Sequence, residues 1–145
     1  MTNKTIYLRS RHFDDIQIGH GKDLVLIAGP CAIESREHSM RMAEMIGRVC
    51  DKVGVRWIFK ACYDKDCRSS PSSFHGLGLD DGLQILTDVR AAHGVPVTSD
   101  FSDPSWGPAT GDVCDMVQVP AYLCRQTSML RAAAATGKPV RLTQG

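Results

Sequence analysis

The chain carries no long run of like charge. Its 17 basic and 16 acidic residues leave a formal charge of +1, so it offers no electrostatic footprint for nucleic acid or a membrane surface. A small polar metabolite is the expected partner. No apolar window approaches transmembrane length, and the leading MTNKTIYLRSRHFDD has no stretch long enough for a signal peptide, which predicts a cytoplasmic protein. The six cysteines, Cys31, Cys50, Cys62, Cys67, Cys114 and Cys124, form no C-x-x-C pair. In that compartment they are expected to be reduced, with no disulfide framework. None of His12, His20, His38, His75 and His93 stands at metal-site spacing from another His or Cys, so spacing alone completes no metal site.

What is present is the composition of one globular domain over residues 1–145, with 43% apolar and 23% charged residues. Residues 1–23 form a polar lead, with a short hairpin expected around Ile16 to Ile18. Beyond it, strand and helix signals alternate every roughly 20 to 40 residues, the rhythm of βα units. Strands are predicted over Leu24 to Ala28, Arg56 to Lys60, Val95 to Ser99, Met116 to Val119 and from Val140 to Thr143. A first helix should start at Ser35, carry Met42, Ala43, Ile46, Val49, Cys50 and Val53 at helical spacing, and close at Gly54. A second runs through Leu79, Leu83, Leu86 and Val89 towards Gly94, a weak helical stretch follows Pro104, and an alanine-rich helix spans Gln126 to Thr136 before Gly137.

The fold class is therefore α/β, a partial (β/α)₈ barrel of about four βα units plus the start of a fifth strand. A closed barrel takes roughly 250 residues. Half of one leaves two unpaired strand edges and an apolar inner face, which invites pairing with another chain.

If the strands are parallel, the segments after them lie on one face of the sheet. Leu24 to Ser35, LVLIAGPCAIES, is an apolar strand broken at Gly29-Pro30 that delivers Cys31 to that face, as a ligand, a nucleophile or a packed thiol. Glu34 accompanies it. Lys60, Lys65, Arg68, Ser69 and Ser70 follow the second strand; Asp100, Ser102 and Asp103 follow the third; Gln118 and Arg125 bracket the turn after the fourth. Clustered Lys, Arg and hydroxyl groups suit phosphate and carboxylate oxygens, because Arg offers a planar fork of donors and Lys a mobile point charge. An anionic, phosphorylated ligand is the direct inference, against a merely solvated loop for Lys65 and Arg68. Lys60 ends an apolar strand and calls for an anion or a covalent role. Asp100 could orient Lys60, carry protons or form a structural salt bridge.

The segments IAGPCAIES, FKACYDKDCRSS, GLGLDDGLQIL and VPAYLCRQT, in that order, resemble the N-terminal half of the 3-deoxy-D-manno-octulosonate-8-phosphate synthase family, from about Leu24 to Val140. The resemblance implies a (β/α)₈ barrel that condenses phosphoenolpyruvate with D-arabinose 5-phosphate, releases phosphate and feeds lipopolysaccharide synthesis. KDCRSS and PAYLCRQT look closer to this branch than to the related synthases that use erythrose 4-phosphate. By the same resemblance Lys60 and Lys65 would hold phosphoenolpyruvate, with Gln118 and Ala121 lining its site. Arg68 and Ser69 would bind the sugar phosphate, Arg125 would reach the sugar phosphate of a neighbouring subunit, and Asp100 would lie beside the reacting centre. Cys31 would be a ligand to a divalent metal such as Zn, Mn or Fe, the remaining ligands belonging to barrel segments outside this chain. The implied partners are the two substrates and either a homo-oligomer or a complementing barrel half.

The chain departs from the family pattern at Cys67 (asparagine there), Ser102 (histidine), Asp103 (glutamate) and the Thr143, Gln144 and Gly145 that replace a Lys-Lys-Gly run. The first of those lysines contacts phosphoenolpyruvate, and such a tail suggests a truncated or frame-shifted gene. Cys67 with Cys31 could form a thiolate pair for zinc or a redox couple. Three other readings stay open: a non-catalytic remnant that keeps an anion-binding loop, a synthase using erythrose 4-phosphate, and an aldol enzyme using Lys60 as a Schiff base.

Overall fold

The computed structural model describes residues 4–66 and 68–144. Strands β1 (Ile6–Ser10) and β2 (Phe13–Ile18) pair antiparallel as a hairpin that includes the expected Ile16 to Ile18. Five parallel strands follow in the spatial order β3 (Val25–Ala28), β4 (Arg56–Lys60), β5 (Val97–Asp100), β6 (Met116–Val119) and β7 (Val140–Leu142). Helices α1 (Arg36–Val53), α2 (Leu79–His93), α3 (Gly107–Val113) and α4 (Thr127–Ala135) connect them. This is the α/β half-barrel, a curled parallel sheet alternating with helices.

The helix ends follow local chemistry. Ser35 is extended and its side chain accepts from the His38 amide at 3.0 Å, which satisfies one of the amide donors orphaned at the start of α1. Gly54 and Gly94 close α1 and α2 in the left-handed conformation, with φ of 69° and 59°, where a side chain would be strained. The third barrel strand runs later than Val95 to Ser99, because Pro96 has no amide to give the ladder and the Val97 amide instead donates to Asp115 Oδ2 at 2.9 Å. The stretch after Pro104 is a 3₁₀ turn, Pro104–Trp106, capped by the Asp103 side chain, that runs into α3.

Register assigns each side chain to a face, since parallel partners point the same way and neighbours along a strand alternate. Phe59, Val97, Val117 and Val119 point towards the helices and pack with Leu86, Val89 and Met129. Ile58 and Met116 point to the inner face, where Leu8 and Ile16 of the hairpin cover them. The inner apolar surface is thus plugged at that end by the polar-looking N-terminal segment. At the two outer strands Leu24, Leu26, Val140 and Leu142 remain exposed.

Tyr63, fully buried, shares a 2.8 Å hydrogen bond with Thr110 and packs edge-on to Trp106. A Cβ added at Gly82 would lie 2.2 Å from the Tyr63 Cβ, whereas one at Gly47 in α1 would make an ordinary 3.5 Å contact with Trp57. Gly82→Ala should therefore destabilise the fold by about 2 kcal/mol through overpacking. Gly47→Ala should stabilise it by about 0.5 kcal/mol through helix propensity. Urea denaturation midpoints of the two variants check both signs.

Candidate functional site

The carboxyl ends of β4, β5, β6 and β7 place a polar row beyond the apolar part of the inner face. Lys60 pairs with Thr98, Asp100 with Gln118, and Gln118 with Arg141 across adjacent strands. Lys60 Nζ lies 3.1 Å from Asp100 Oδ1, with both side chains largely withdrawn from water. A pair so placed is held only if each charge keeps its partner, because desolvation of either one alone is costly. Next along the row Gln118 is 7% exposed and its Oε1 accepts from Arg141 Nη1 at 2.9 Å. Lys60, Asp100 and Gln118, singled out from the sequence, therefore share one surface.

The loops beyond the strands are stitched to this row. The Ile33 amide donates to the Cys62 carbonyl at 2.9 Å, and Ala32 bridges Cys62 in parallel. A Cβ at Gly29 would lie 2.0 Å from the Lys60 carbonyl oxygen, so only glycine lets the loop after β3 approach β4 this closely. That approach brings Cys31 and Lys65 together. The neighbouring Cys31 sulfur holds Lys65 above the usual lysine range, against partial burial. Cys62 lies behind them, its thiol pushed up to about 12 by burial and by the Asp100 charge. The loop after β4 is braced by the Lys65 amide to the His75 carbonyl at 2.7 Å and by the Tyr122 hydroxyl, which donates to Asp66 at 3.4 Å.

Arg68, Ser69 and Arg125 stand exposed, and nothing in the structure draws them into the row. Ala121 is half-buried and begins a 3₁₀ turn, Ala121–Leu123, which lines a shallow pocket with Tyr122, Cys124 and Arg125. Cys67, and with it any pairing with Cys31, lies outside the described residues.

Sequence spacing completed no metal site, but folding brings Asp64, Asp66 and His75 together, their donor atoms all within 4.8 Å of one another. Burial and the neighbouring Asp66 raise the Asp64 pKa above the usual carboxylate range, against the opposing pull of His75. Two carboxylates and an imidazole are a donor set that can hold a divalent cation. Cys31 is not part of that set, and among the described residues no group of three donors includes it. The described residues do not complete a metal centre at Cys31.

Residues that sequence reasoning passed over are Arg141, Thr98, Tyr122 and the Asp64, Asp66 and His75 group. Arg141 sat in a predicted strand, but its face depends on the register with Gln118, which spacing does not show.

The cations and the buried amide gather at the carboxyl rim of the strands, the end at which (β/α)₈ barrels build their sites. The model of the DAHP synthetase I family matches residues 2–145, and the chain belongs to that family. It is 52% identical over 131 residues to a 2-dehydro-3-deoxyphosphooctonate aldolase of Koribacter versatilis, covering 90% of this chain and 47% of that protein. Proteins of the same name from Synechococcus sp. and Magnetococcus marinus are 44% and 43% identical, covering 93% and 100% of this chain and 48% and 49% of theirs. The chain spans about half the length of the curated relatives it matches.

Thiol chemistry checks the site's layout. Iodoacetamide at pH 8 should alkylate exposed Cys31 while leaving Cys62, Cys50 and Cys114 unmodified, because all three are buried and burial raises their pKa, which disfavours the reactive thiolate. Peptide mass mapping reads this out; labelling of Cys62 as fast as Cys31 would contradict the loop arrangement.

Proposed function

We propose that this chain serves the condensation of phosphoenolpyruvate with D-arabinose 5-phosphate to 3-deoxy-D-manno-octulosonate 8-phosphate, with release of phosphate, and so supplies lipopolysaccharide synthesis. Residues 1–145 act as one incomplete barrel domain in the cytoplasm, within a homo-oligomer or beside a complementing barrel half. The observation that carries the reading is the inner row of Lys60, Asp100 and Gln118 in a chain 43 to 52% identical to octonate aldolases. Those relatives' names favour the octulosonate reaction over the one that uses erythrose 4-phosphate. No helix among the described residues is long and apolar enough to cross a membrane, which accords with small polar substrates.

In this reading Lys60 and Lys65 neutralise the anionic groups of phosphoenolpyruvate, and Gln118 and Ala121 line the same site. Asp100 fixes the Lys60 ammonium and lies beside the reacting carbons. Arg68 and Ser69, on the exposed loop, take the sugar phosphate, and Arg125 reaches the sugar phosphate bound in a neighbouring subunit. Carbon 3 of phosphoenolpyruvate attacks the aldehyde, forming the new carbon–carbon bond, and the aldehyde oxygen takes a proton. Water adds at carbon 2, and the carbon–oxygen bond to phosphate then breaks to leave the keto acid. Fixed cations stabilise the dianionic intermediate more than the substrates, which is how such a row lowers the barrier. A divalent metal would polarise the aldehyde or activate the water. Cys31 offers it one sulfur, and since the described residues supply no further donors there, no step is derived through it.

Phosphate release from phosphoenolpyruvate should require arabinose 5-phosphate, with erythrose 4-phosphate a poor substitute, in assays of the chain with and without a supplied C-terminal barrel half plus Mn²⁺ or Zn²⁺. Lys60→Met should lower the rate by about a hundredfold or more, and borohydride should trap no adduct on Lys60. Phosphoenolpyruvate binding without turnover in any of these assays would favour the anion-binding remnant instead.

A further inference from the structure

We infer that Arg141 is an anion-binding and positioning residue of the same site, contacting phosphoenolpyruvate and fixing the orientation of Gln118. The inference rests on the proposed phosphoenolpyruvate site and extends it to a fourth strand. Parallel register puts Arg141 on the inner face beside Gln118, as Gln118 is beside Asp100. Among the described residues Lys60 is matched by Asp100, but Arg141 has no carboxylate partner; its one side-chain bond is to the neutral Gln118 amide. The row therefore carries an unmatched positive charge. A guanidinium has five N–H donors in a planar fork, and one bond to Gln118 leaves the rest free for a carboxylate or phosphate.

The same bond decides which way the Gln118 amide faces. With Oε1 taken by Arg141, the NH₂ end is turned away from the arginine and kept as a donor, the polarity an anion needs. Two further groups on this face lack partners. The Thr98 hydroxyl is fully buried without a hydrogen bond. The Thr143 hydroxyl is likewise unpaired, two residues past Arg141, where the Thr143 amide continues the ladder to the Val119 carbonyl at 3.1 Å. Buried hydroxyls without partners are uncommon, and each calls for a water, an ion or a polar group to satisfy it. An arginine, an oriented amide and two unpaired hydroxyls thus occupy three adjacent strands.

Calorimetric titration of the full chain with phosphoenolpyruvate tests this, using Arg141→Gln, Arg141→Lys and a control, Arg131→Gln, on the exposed side of α4. Circular dichroism confirms that each variant is folded. Arg141→Gln should weaken binding about tenfold or more, the loss expected for a charge-assisted hydrogen bond. Arg141→Lys should recover part of that loss, and Arg131→Gln should bind as wild type. Wild-type affinity in Arg141→Gln overturns the inference and leaves the proposed function standing. Equal losses in Arg141→Gln and Arg131→Gln overturn it as a general charge effect, and a loss with no recovery by lysine reduces Arg141 to a structural role. No binding by the wild-type chain removes the proposed site and this inference with it.

Discussion

The parallel register of β4 to β7 is the constraint on which the rest of the site depends. Each strand contributes one residue near its carboxyl end to the inner face, and pairing turns four residues distant in sequence into one row. Lys60, Asp100, Gln118 and Arg141 are 81 positions apart from first to last, yet each lies on a strand directly bonded to the next. A slip of one residue in any ladder would turn that strand's polar group towards the helices, where Phe59, Val97 and Val117 pack. The hydrophobic contacts of the outer face therefore hold the polar geometry of the inner one.

The N-terminal hairpin completes this division. Leu8 and Ile16 cover Ile58 and Met116 at the amino end of the inner face, so the inside of the curled sheet has an apolar floor and a charged rim. A floor of this kind keeps water from one side of the Lys60 and Asp100 pair and raises the local strength of their attraction. Above the rim, glycine at position 29 lets the loop after β3 lie against the Lys60 carbonyl, and the Cys31 and Lys65 contact follows from that approach.

Much of this was legible in the sequence, for identifiable reasons. Ser35 and Gly54 bound α1 because capping chemistry is local, and Arg56 to Lys60 and Met116 to Val119 read as strands because they are short β-rich runs bounded by turn signals. Lys60, Asp100 and Gln118 could be picked out because each is a polar residue at or next to the end of such a run. Val95 to Ser99 starts two residues and ends one residue too early because the Pro96 effect depends on which amide the ladder needs. The Asp64, Asp66 and His75 group was invisible because a turn closes it, through the Lys65 amide and the His75 carbonyl, and not any regular spacing. Arg141 was passed over for a related reason: alternation along a three-residue strand says that Val140 and Leu142 share a face, but not which face that is.

In the proposed reaction, the contrast between the row and the loop beyond it bears on how two substrates would be held. Lys60, Asp100 and Gln118 are withdrawn from water and bonded to neighbours, whereas Arg68, Ser69 and Arg125 are exposed. A preorganised group contributes its full electrostatic effect, because little conformational entropy remains to be lost on binding, while an exposed arginine must be ordered first. Under that proposal the row suits the substrate whose charge would change during reaction. The loop suits the one whose phosphate would only anchor it.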